Sequence, residues 1–194
     1  MVADDTSFAK LVTLACHDLR TPLATVHGFV KTLERMAELE PPADRYIEMI
    51  GEASVQLAGL LDDLSLAARI EGGRYDPVLR DVDTLVLAQS AATLLGEERV
   101  RVSGKGATIT TDEVALDGAV SALVRCALRH GGLDEVAVAV RGTDIDVSPV
   151  TPASARVVLG EDLRDLGAAV AVRAVAALGG SVSLDGETLT IRLA

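Results

Sequence analysis

A long amphipathic helix is predicted at the start of the chain. From Phe8 to Met36, apolar residues recur every three or four positions and so share one stripe of a helix. Pro22 lies in this stripe, where it removes a hydrogen bond, clashes with the carbonyl group of Asp18 and costs about 3 kcal/mol. We therefore expect a kink at Pro22 and a local interaction that offsets its cost. The stripe comprises Phe8, Leu11, Ala15, Leu19, Pro22, Val26, Phe29, Leu33 and Met36.

A second helix is predicted between Pro42 and Gly72. Its apolar and small residues alternate in steps of three and four, the repeat of helices that pack side by side. Leu60 and Ala67 widen this seam, so a single helical hairpin would leave apolar surface in water. Pairing two hairpins into a four-helix bundle would cover that surface, and we predict a homodimer. The seam comprises Ile47, Ile50, Ser54, Leu57, Leu61, Leu64 and Ala68.

The pattern changes after Gly73 to short apolar runs separated by turn residues. Helices on one face of a mixed, mostly antiparallel sheet would give an α+β fold. We therefore expect two domains, residues 1–73 and 74–194. Strands are predicted at 78–82, 99–103, 107–111, 135–140, 144–147, 181–184 and 188–193, and helices at 83–95, 112–130 and 162–178.

Composition narrows the possible functions. The 194 residues carry a net charge of -11, which argues against binding nucleic acid or an anionic membrane surface. Cys16 and Cys126 are too few for a disulfide framework or a zinc site, and they suit a reducing compartment. No apolar run approaches the ~20 residues that span a bilayer, so we expect a cytoplasmic protein without direct membrane contact.

Candidate chemistry is concentrated on the polar side of the first helix. His17, Asp18 and Thr21 share one patch there, because residues three and four positions apart are neighbours on a helix. An imidazole beside a carboxylate can attack a phosphoryl group, with the acid fixing the ring tautomer, and Thr21 could orient a water molecule. The alternative is an ordinary solvent-facing histidine. We interpret Cys16 as a packed thiol and His27 as a solvated or dimer-flanking side chain.

The run His17-Asp18-Leu19-Arg20-Thr21-Pro22-Leu23 resembles the phosphoacceptor box of sensor histidine kinases, and it matches at every position. The resemblance implies that His17 carries a phosphoryl group on a ring nitrogen. It implies that Asp18 is the acid and base for this transfer, and that Asp18 with Thr21 supports attack by water on a phosphorylated response regulator. Arg20 would have a supporting role. The dimeric helical bundle predicted above is also typical of this family.

The second half resembles the ATP-binding domain of the same kinases, a Bergerat-type α/β sandwich, but its nucleotide motifs are degraded. Cys126 stands where the magnesium-binding asparagine belongs. Asp146 lacks the following glycines that let backbone approach a nucleotide. The phosphate-side glycine motif is reduced to Gly167-Ala168-Ala169, and residues 149–160 are few for an ATP lid. We expect a degenerate nucleotide site near Cys126, Asp146 and Gly167, with no metal and no cofactor.

Three functional hypotheses follow from an intact acceptor box beside a degraded nucleotide site. The first is a histidine phosphotransferase that exchanges a phosphoryl group on His17 with the receiver domain of a response regulator, or dephosphorylates that regulator, without ATP. This hypothesis resembles the known phosphotransferases that keep the kinase architecture. The second is an ATP- and Mg²⁺-dependent sensor kinase core with a divergent nucleotide site. The third is a non-enzymatic pseudokinase adaptor that binds a regulator.

Overall fold

The computed structural model describes the backbone of residues 3–35 and 43–194. The side chains of residues 3–8, 10, 11, 15 and 44 lie outside this description, and with them part of the predicted apolar stripe: Phe8, Leu11 and Ala15. Met36 and the Pro41-Pro42 turn also lie outside the described residues. The chain divides into two compact units, Met1–Arg74 and Tyr75–Ala194. None of the helices within the described ranges combines the length and the apolar character needed to cross a membrane.

The first unit is a helical hairpin of α1 (Ala3–Arg35) and α2 (Ala43–Glu71). Among its described side chains, those fully buried are small: Ala9, Cys16 and Val30 on α1, and Ser54 and Ala68 on α2. Gly51 is buried with them, and a Cβ atom there would lie 3.1 Å from Cγ1 of Val30. Small residues therefore let the two helices approach closely along this seam.

Pro22 lies inside α1, which continues through it as one helix from Ala3 to Arg35. Close to the proline, the Thr25 hydroxyl donates a hydrogen bond to the carbonyl oxygen of Thr21 at 3.2 Å. A threonine in a helix can bond back to the carbonyl group four residues earlier in this way. The helix thus absorbs the proline within its length and does not end there.

A second face of the hairpin carries large apolar side chains that remain exposed. On a helical wheel, the exposed stripe of each helix lies about 100° from that helix's buried face, in the same rotational sense. In an antiparallel pair this puts both stripes on one side of the hairpin. The predicted seam of α2 is therefore divided, with Ser54 and Ala68 buried but Ile50, Leu57 and Leu64 exposed. The exposed stripe comprises Leu19, Val26, Phe29 and Leu33 on α1, and Met49, Ile50, Leu57, Leu60 and Leu64 on α2.

The second unit combines a mixed sheet with four helices and a separate two-stranded sheet. Strands β1 (Leu79–Asp83) and β3 (Thr108–Asp112) form the antiparallel pair. The five-stranded sheet has the order β2-β4-β5-β7-β6, in which β2 and β4 are parallel and the other pairs antiparallel. Its strands are β2 (Val100–Gly106), β4 (Val136–Gly142), β5 (Asp144–Ser148), β6 (Ser181–Asp185) and β7 (Thr188–Arg192), and the helices are α3 (Thr84–Leu95), α4 (Glu113–Gly131), α5 (Pro152–Val158) and α6 (Leu166–Ala177).

One face of the sheet forms the core of this unit. Along β4 the buried Val136, Val138 and Val140 alternate with more exposed residues. Val138 lies beside Val147 of β5, and Val147 lies beside Leu189 of β7, so the apolar residues form rows across the strands. This alternation is typical of a sheet with helices on one face, and it confirms the predicted α+β class.

The region before α6 differs from the prediction. The sequence predicts one helix over 162–178, whereas α6 begins at Leu166 and a separate helix, α5, occupies Pro152–Val158. Pro152 stands in the first turn of α5, where a missing N–H is tolerated, and Ser154, Val157 and Val158 are buried. Residues read from the sequence as a short lid thus contribute a helix to the core.

Candidate functional site

The imidazole of His17 and the carboxylate of Asp18 form a pair on the surface of α1. The Nδ1 atom of His17 lies 3.2 Å from Oδ1 of Asp18, and the two side chains are 75% and 69% exposed. When Nδ1 donates its proton to this carboxylate, Nε2 carries the free lone pair. The pair therefore presents a nucleophilic nitrogen to a partner in solvent.

Arg20 is fixed to the second helix by an ion pair. Its guanidinium group donates to Oδ1 of Asp62 on α2 at 2.6 Å, with both side chains largely exposed. Such an exposed pair adds about 0 to 1 kcal/mol to stability, so its main effect is to orient Arg20. The resemblance to the phosphoacceptor box implied a supporting role for Arg20, but Asp62 was not predicted, since the two residues lie far apart in the chain.

Thr21 is exposed one turn after His17, and its carbonyl group accepts the bond from Thr25 described above. Its hydroxyl group lies on the patch with His17 and Asp18 that the helical spacing predicts. His27 is half-exposed, on the wheel position of the buried Cys16 and Val30. His27 therefore lies toward the seam between α1 and α2, away from the His17 patch.

In the second unit, Cys126 lies in α4 and is completely buried. Burial, and then the nearby Asp165 carboxylate, raise the pKa of the Cys126 thiol to about 12, against smaller opposing effects of Arg129 and Arg164. Without a metal ion, this side chain is a neutral thiol at neutral pH. A buried thiol lacks the hard oxygen donor that Mg²⁺ prefers.

Asp146 does not join Cys126, which corrects the expected grouping of Cys126, Asp146 and Gly167. It lies in β5 between Ile145 and Val147, whose side chains enter the core, so its own side chain points to the opposite face of the sheet. There it forms an ion pair with Arg141 at 2.5 Å and accepts a hydrogen bond from the Thr190 hydroxyl at 2.8 Å. These neighbours make Asp146 a structural carboxylate of the outer face.

Gly167 lies in the first turn of α6, and the residue that caps this helix is Asp165. Its Oδ1 accepts from the backbone N–H of Ala168 at 3.0 Å, and its Oδ2 accepts from Nε2 of His130 at 3.0 Å. Neither Asp165 nor His130 was predicted from the sequence as a site residue. Two local signals were available, namely the spacing of Cys126 and His130 on one helix and an aspartate just before an apolar helix.

The residues of this region do not fit a magnesium–nucleotide complex. Position 126 offers a neutral buried thiol, and Asp146 is bonded on the other face of the sheet. Ala168 and Ala169 are buried in the first turns of α6, where their methyl groups keep a phosphate from the backbone.

Comparison with protein families identifies the hairpin. Residues 9–73 match the family described as the His Kinase A (phospho-acceptor) domain, and this match lies within the first unit. Two curated relatives are similar over part of the chain. The probable sensor histidine kinase TcrY of Mycobacterium tuberculosis is 29% identical over 72 residues, and the sensor protein DivL of Caulobacter vibrioides is 32% identical over 79 residues. These alignments cover 37% and 39% of this chain but only 15% and 10% of the relatives.

Solved structures are similar to this chain over both of its units. Full-length ShkA, crystallised in complex with AMPPNP, has a TM-score of 0.67 at 23% identity, over 94% of this chain and 44% of that one. The histidine kinase AdeS of Acinetobacter baumannii has a TM-score of 0.57 at 16% identity, over 92% of this chain and 97% of that one. At this identity the likeness concerns the fold, which is a helical hairpin followed by a mixed-sheet domain like a kinase ATPase domain.

Proposed function

Since residues 9–73 match the His Kinase A (phospho-acceptor) domain and the chain has a fold similar to that of a histidine kinase core, we propose that His17 carries a phosphoryl group exchanged with a response regulator. A phosphoacceptor domain of this type belongs to two-component signalling. The donor in our proposal is the aspartyl phosphate of a receiver domain, without ATP. The observation that carries the proposal is the exposed His17 imidazole bonded through Nδ1 to Asp18.

The transfer follows from the orientation of this ring. With the Nδ1 proton held by Asp18 at 3.2 Å, the Nε2 lone pair attacks the phosphorus atom of the regulator's aspartyl phosphate. A nitrogen–phosphorus bond forms, the acyl oxygen–phosphorus bond breaks, and the regulator aspartate leaves as a carboxylate. Asp18 stabilises the positive charge that develops on the imidazole. The reverse reaction passes the phosphoryl group to a regulator aspartate.

Dephosphorylation of the regulator is a second candidate function, favoured by the polar side chains beside His17. Asp18 is 69% exposed in its side chain, and Thr21 is exposed one turn away. A hydroxyl group and a carboxylate on one patch can orient a water molecule and accept its proton. Water would then replace His17 as the nucleophile, and inorganic phosphate would be released.

The exposed apolar stripe supports a homodimer within this proposal. Large side chains such as Phe29 and Leu57 are 66% and 52% exposed on one side of the hairpin. A second copy that presents the same stripe would bury both, as in a four-helix bundle. His17 lies about 160° around α1 from the centre of the stripe and would remain accessible to a regulator. The second unit would provide a further docking surface for the regulator.

The direct test mixes the purified full chain with a receiver domain carrying a labelled aspartyl phosphate and follows the label. Label on the chain, lost in His17→Gln but kept in His27→Gln, supports transfer. Release of inorganic phosphate that depends on Thr21 or Asp18 supports the phosphatase function instead. Label that stays on the regulator would contradict both functions and favour an adaptor.

A parallel incubation with γ-labelled ATP and Mg²⁺ tests the donor. We expect the chain to remain unlabelled, because the buried Cys126 offers Mg²⁺ no oxygen ligand at position 126. Label retained on His17 would refute the ATP-independent proposal and identify an active kinase core. His17→Gln serves as the control for adventitious labelling.

A further inference from the structure

Three potential metal ligands converge where α4 meets the start of α6. The ligand atoms of Cys126, His130 and Asp165 all lie within 4.8 Å of one another. Cys126 is completely buried, and the side chains of His130 and Asp165 are only 18% and 15% exposed. This cluster lies in the second unit and is distinct from the His17 patch. Neither the phosphotransfer function nor the family comparison assigns it a role.

Both elements position these ligands firmly. Cys126 and His130 are four residues apart on α4, which puts them on one helix face. Asp165 is held by its cap of α6, in which Oδ1 accepts from the N–H of Ala168 at 3.0 Å. Its other oxygen, Oδ2, points to Nε2 of His130 at 3.0 Å. Oδ1 of Asp165 therefore caps α6, while Oδ2 lies beside His130 within the cluster.

We propose that Cys126, His130 and Asp165 bind a zinc ion. Sulfur, imidazole nitrogen and carboxylate oxygen are the ligands that Zn²⁺ takes in proteins, usually in tetrahedral geometry. Bond lengths of about 2.0 to 2.3 Å separate ligand atoms in such a site by about 3.3 to 3.6 Å. The His130 and Asp165 atoms are 3.0 Å apart, so the ion requires only small side-chain shifts at this pair.

The charge of the complex also suits this buried position. Binding replaces the thiol proton of Cys126, which passes to solvent, and the neutral imidazole contributes a lone pair. One thiolate and one carboxylate then neutralise the double charge of the ion, so no net charge is buried. Three protein ligands leave a fourth position for water or another small donor. The expectation from sequence, that two cysteines are too few for zinc, counted cysteine alone and overlooked mixed ligands.

The ligand set selects against Mg²⁺. Mg²⁺ prefers oxygen donors in octahedral geometry, whereas a thiolate and an imidazole favour Zn²⁺ and its spectroscopic substitute Co²⁺. In the kinases that this chain resembles, the position of Cys126 holds a magnesium ligand. In this chain Cys126 would bind a different class of ion.

The test titrates the full chain, freed of metal by a chelator, with Zn²⁺ and separately with Co²⁺. We expect one Zn²⁺ per chain, a rise in the thermal midpoint, and the near-ultraviolet charge-transfer band of a cobalt–thiolate bond. Cys126→Ser and His130→Gln should each weaken binding by at least about 100-fold. Asp165→Asn should also weaken it, although the asparagine Oδ1 can still cap α6.

Matched controls lie in the other unit. Cys16→Ser removes the other cysteine, and His17→Gln removes the exposed histidine–carboxylate pair; both should leave zinc affinity unchanged. Zinc binding that is insensitive to Cys126→Ser, or lost in His17→Gln, would overturn the proposal. The absence of a cobalt–thiolate band in the unmodified chain would overturn it as well, even if a Cys126 variant failed to fold.

Discussion

Replacing Asp112 tests how α4, the helix that carries Cys126 and His130, is anchored. Asp112 ends β3 and caps α4, where its Oδ1 accepts from the N–H of Ala115 at 3.2 Å. Its Oδ2 accepts from the Tyr75 hydroxyl at 3.0 Å and from the N–H of Val78 at 3.2 Å. One carboxylate thus joins the segment before β1 to the first turn of α4. We predict that Asp112→Asn destabilises the second unit.

The magnitude follows from which bonds the asparagine keeps. Asparagine can still cap α4 through its Oδ1, but its amide nitrogen cannot accept the bonds from Tyr75 and Val78. Losing a hydrogen bond to a charged acceptor costs about 1.5 to 3 kcal/mol. Because both donors are near the surface and can bond to water, we expect a loss of about 1.5 kcal/mol at pH 7. Asp112→Ala also removes the cap and should lose about 1 kcal/mol more.

The difference in stability between the unmodified chain and Asp112→Asn should depend on pH. Burial raises the pKa of Asp112, but the hydrogen bonds from Ala115, Tyr75 and Val78 outweigh it, so the pKa lies below its ordinary value of 3.8. The folded state therefore binds fewer protons at this carboxyl group than the unfolded state. Its stabilisation is complete above the unfolded pKa near 3.8 and is lost as the pH falls through the folded pKa.

Tyrosine emission provides the assay. The chain has 2 tyrosines and no tryptophan, so Tyr46→Phe leaves Tyr75 as a reporter of the second unit. Urea unfolding of this background is compared with and without Asp112→Asn, from pH 7 downward, and the exposed Asp76→Asn controls for the loss of one charge. A destabilisation below about 0.5 kcal/mol at pH 7, or one that persists undiminished below the folded pKa, would refute the reasoning.

Two further predictions concern the dimer and the sheet. Leu57→Glu, on the exposed stripe, should weaken homodimerisation at least tenfold as measured by analytical ultracentrifugation. Val55→Glu is the control, since Val55 is 60% exposed on the opposite side of α2 and its replacement should not affect the dimer. Equal effects of the two variants would contradict the proposed interface. Gly104→Ala should destabilise the second unit by more than about 2 kcal/mol in urea unfolding, because Gly104 has a φ of +105° and an added Cβ would lie 2.1 Å from the Val140 carbonyl oxygen. Gly118→Ala, on α4 with nothing within 4 Å of its Cβ position, should instead stabilise by about 0.5 to 1 kcal/mol, and a loss there would contradict the account of Gly104.

The sequence predicted local structure well where one periodicity dominates. The strands from Val136 to Ser148 and the helix from Glu113 to Gly131 lie within two residues of their predicted bounds. Alternating valines and a capping aspartate determine these elements locally. The helix α5 was missed because it is short, begins at Pro152 and comes soon after Pro149, a pattern that resembles a loop.

Tertiary arrangement limited the prediction of the site. The His17 patch depends on residues of one helix turn and could be predicted from spacing. Asp62 beside Arg20, and Asp165 beside His130, come from distant positions that no local pattern connects. Asp146 was grouped with Cys126 because of the resemblance to the family's nucleotide motifs, although the apolar Ile145 and Val147 on either side indicate that its side chain lies on the opposite face of the strand.

The small side chains between α1 and α2 affect how strongly the stability of the first unit depends on protein concentration. Among the described side chains, the buried seam consists of Ala9, Cys16, Val30, Gly51, Ser54 and Ala68, which are small and contribute less apolar area than leucine or phenylalanine would. The larger apolar side chains of the exposed stripe would be buried in the proposed dimer. Folding and association would then be one equilibrium, in which each tenfold dilution costs about 1.4 kcal/mol of dimer stability. The amount of protein in the cell would thus set the fraction of chains with an ordered His17 helix.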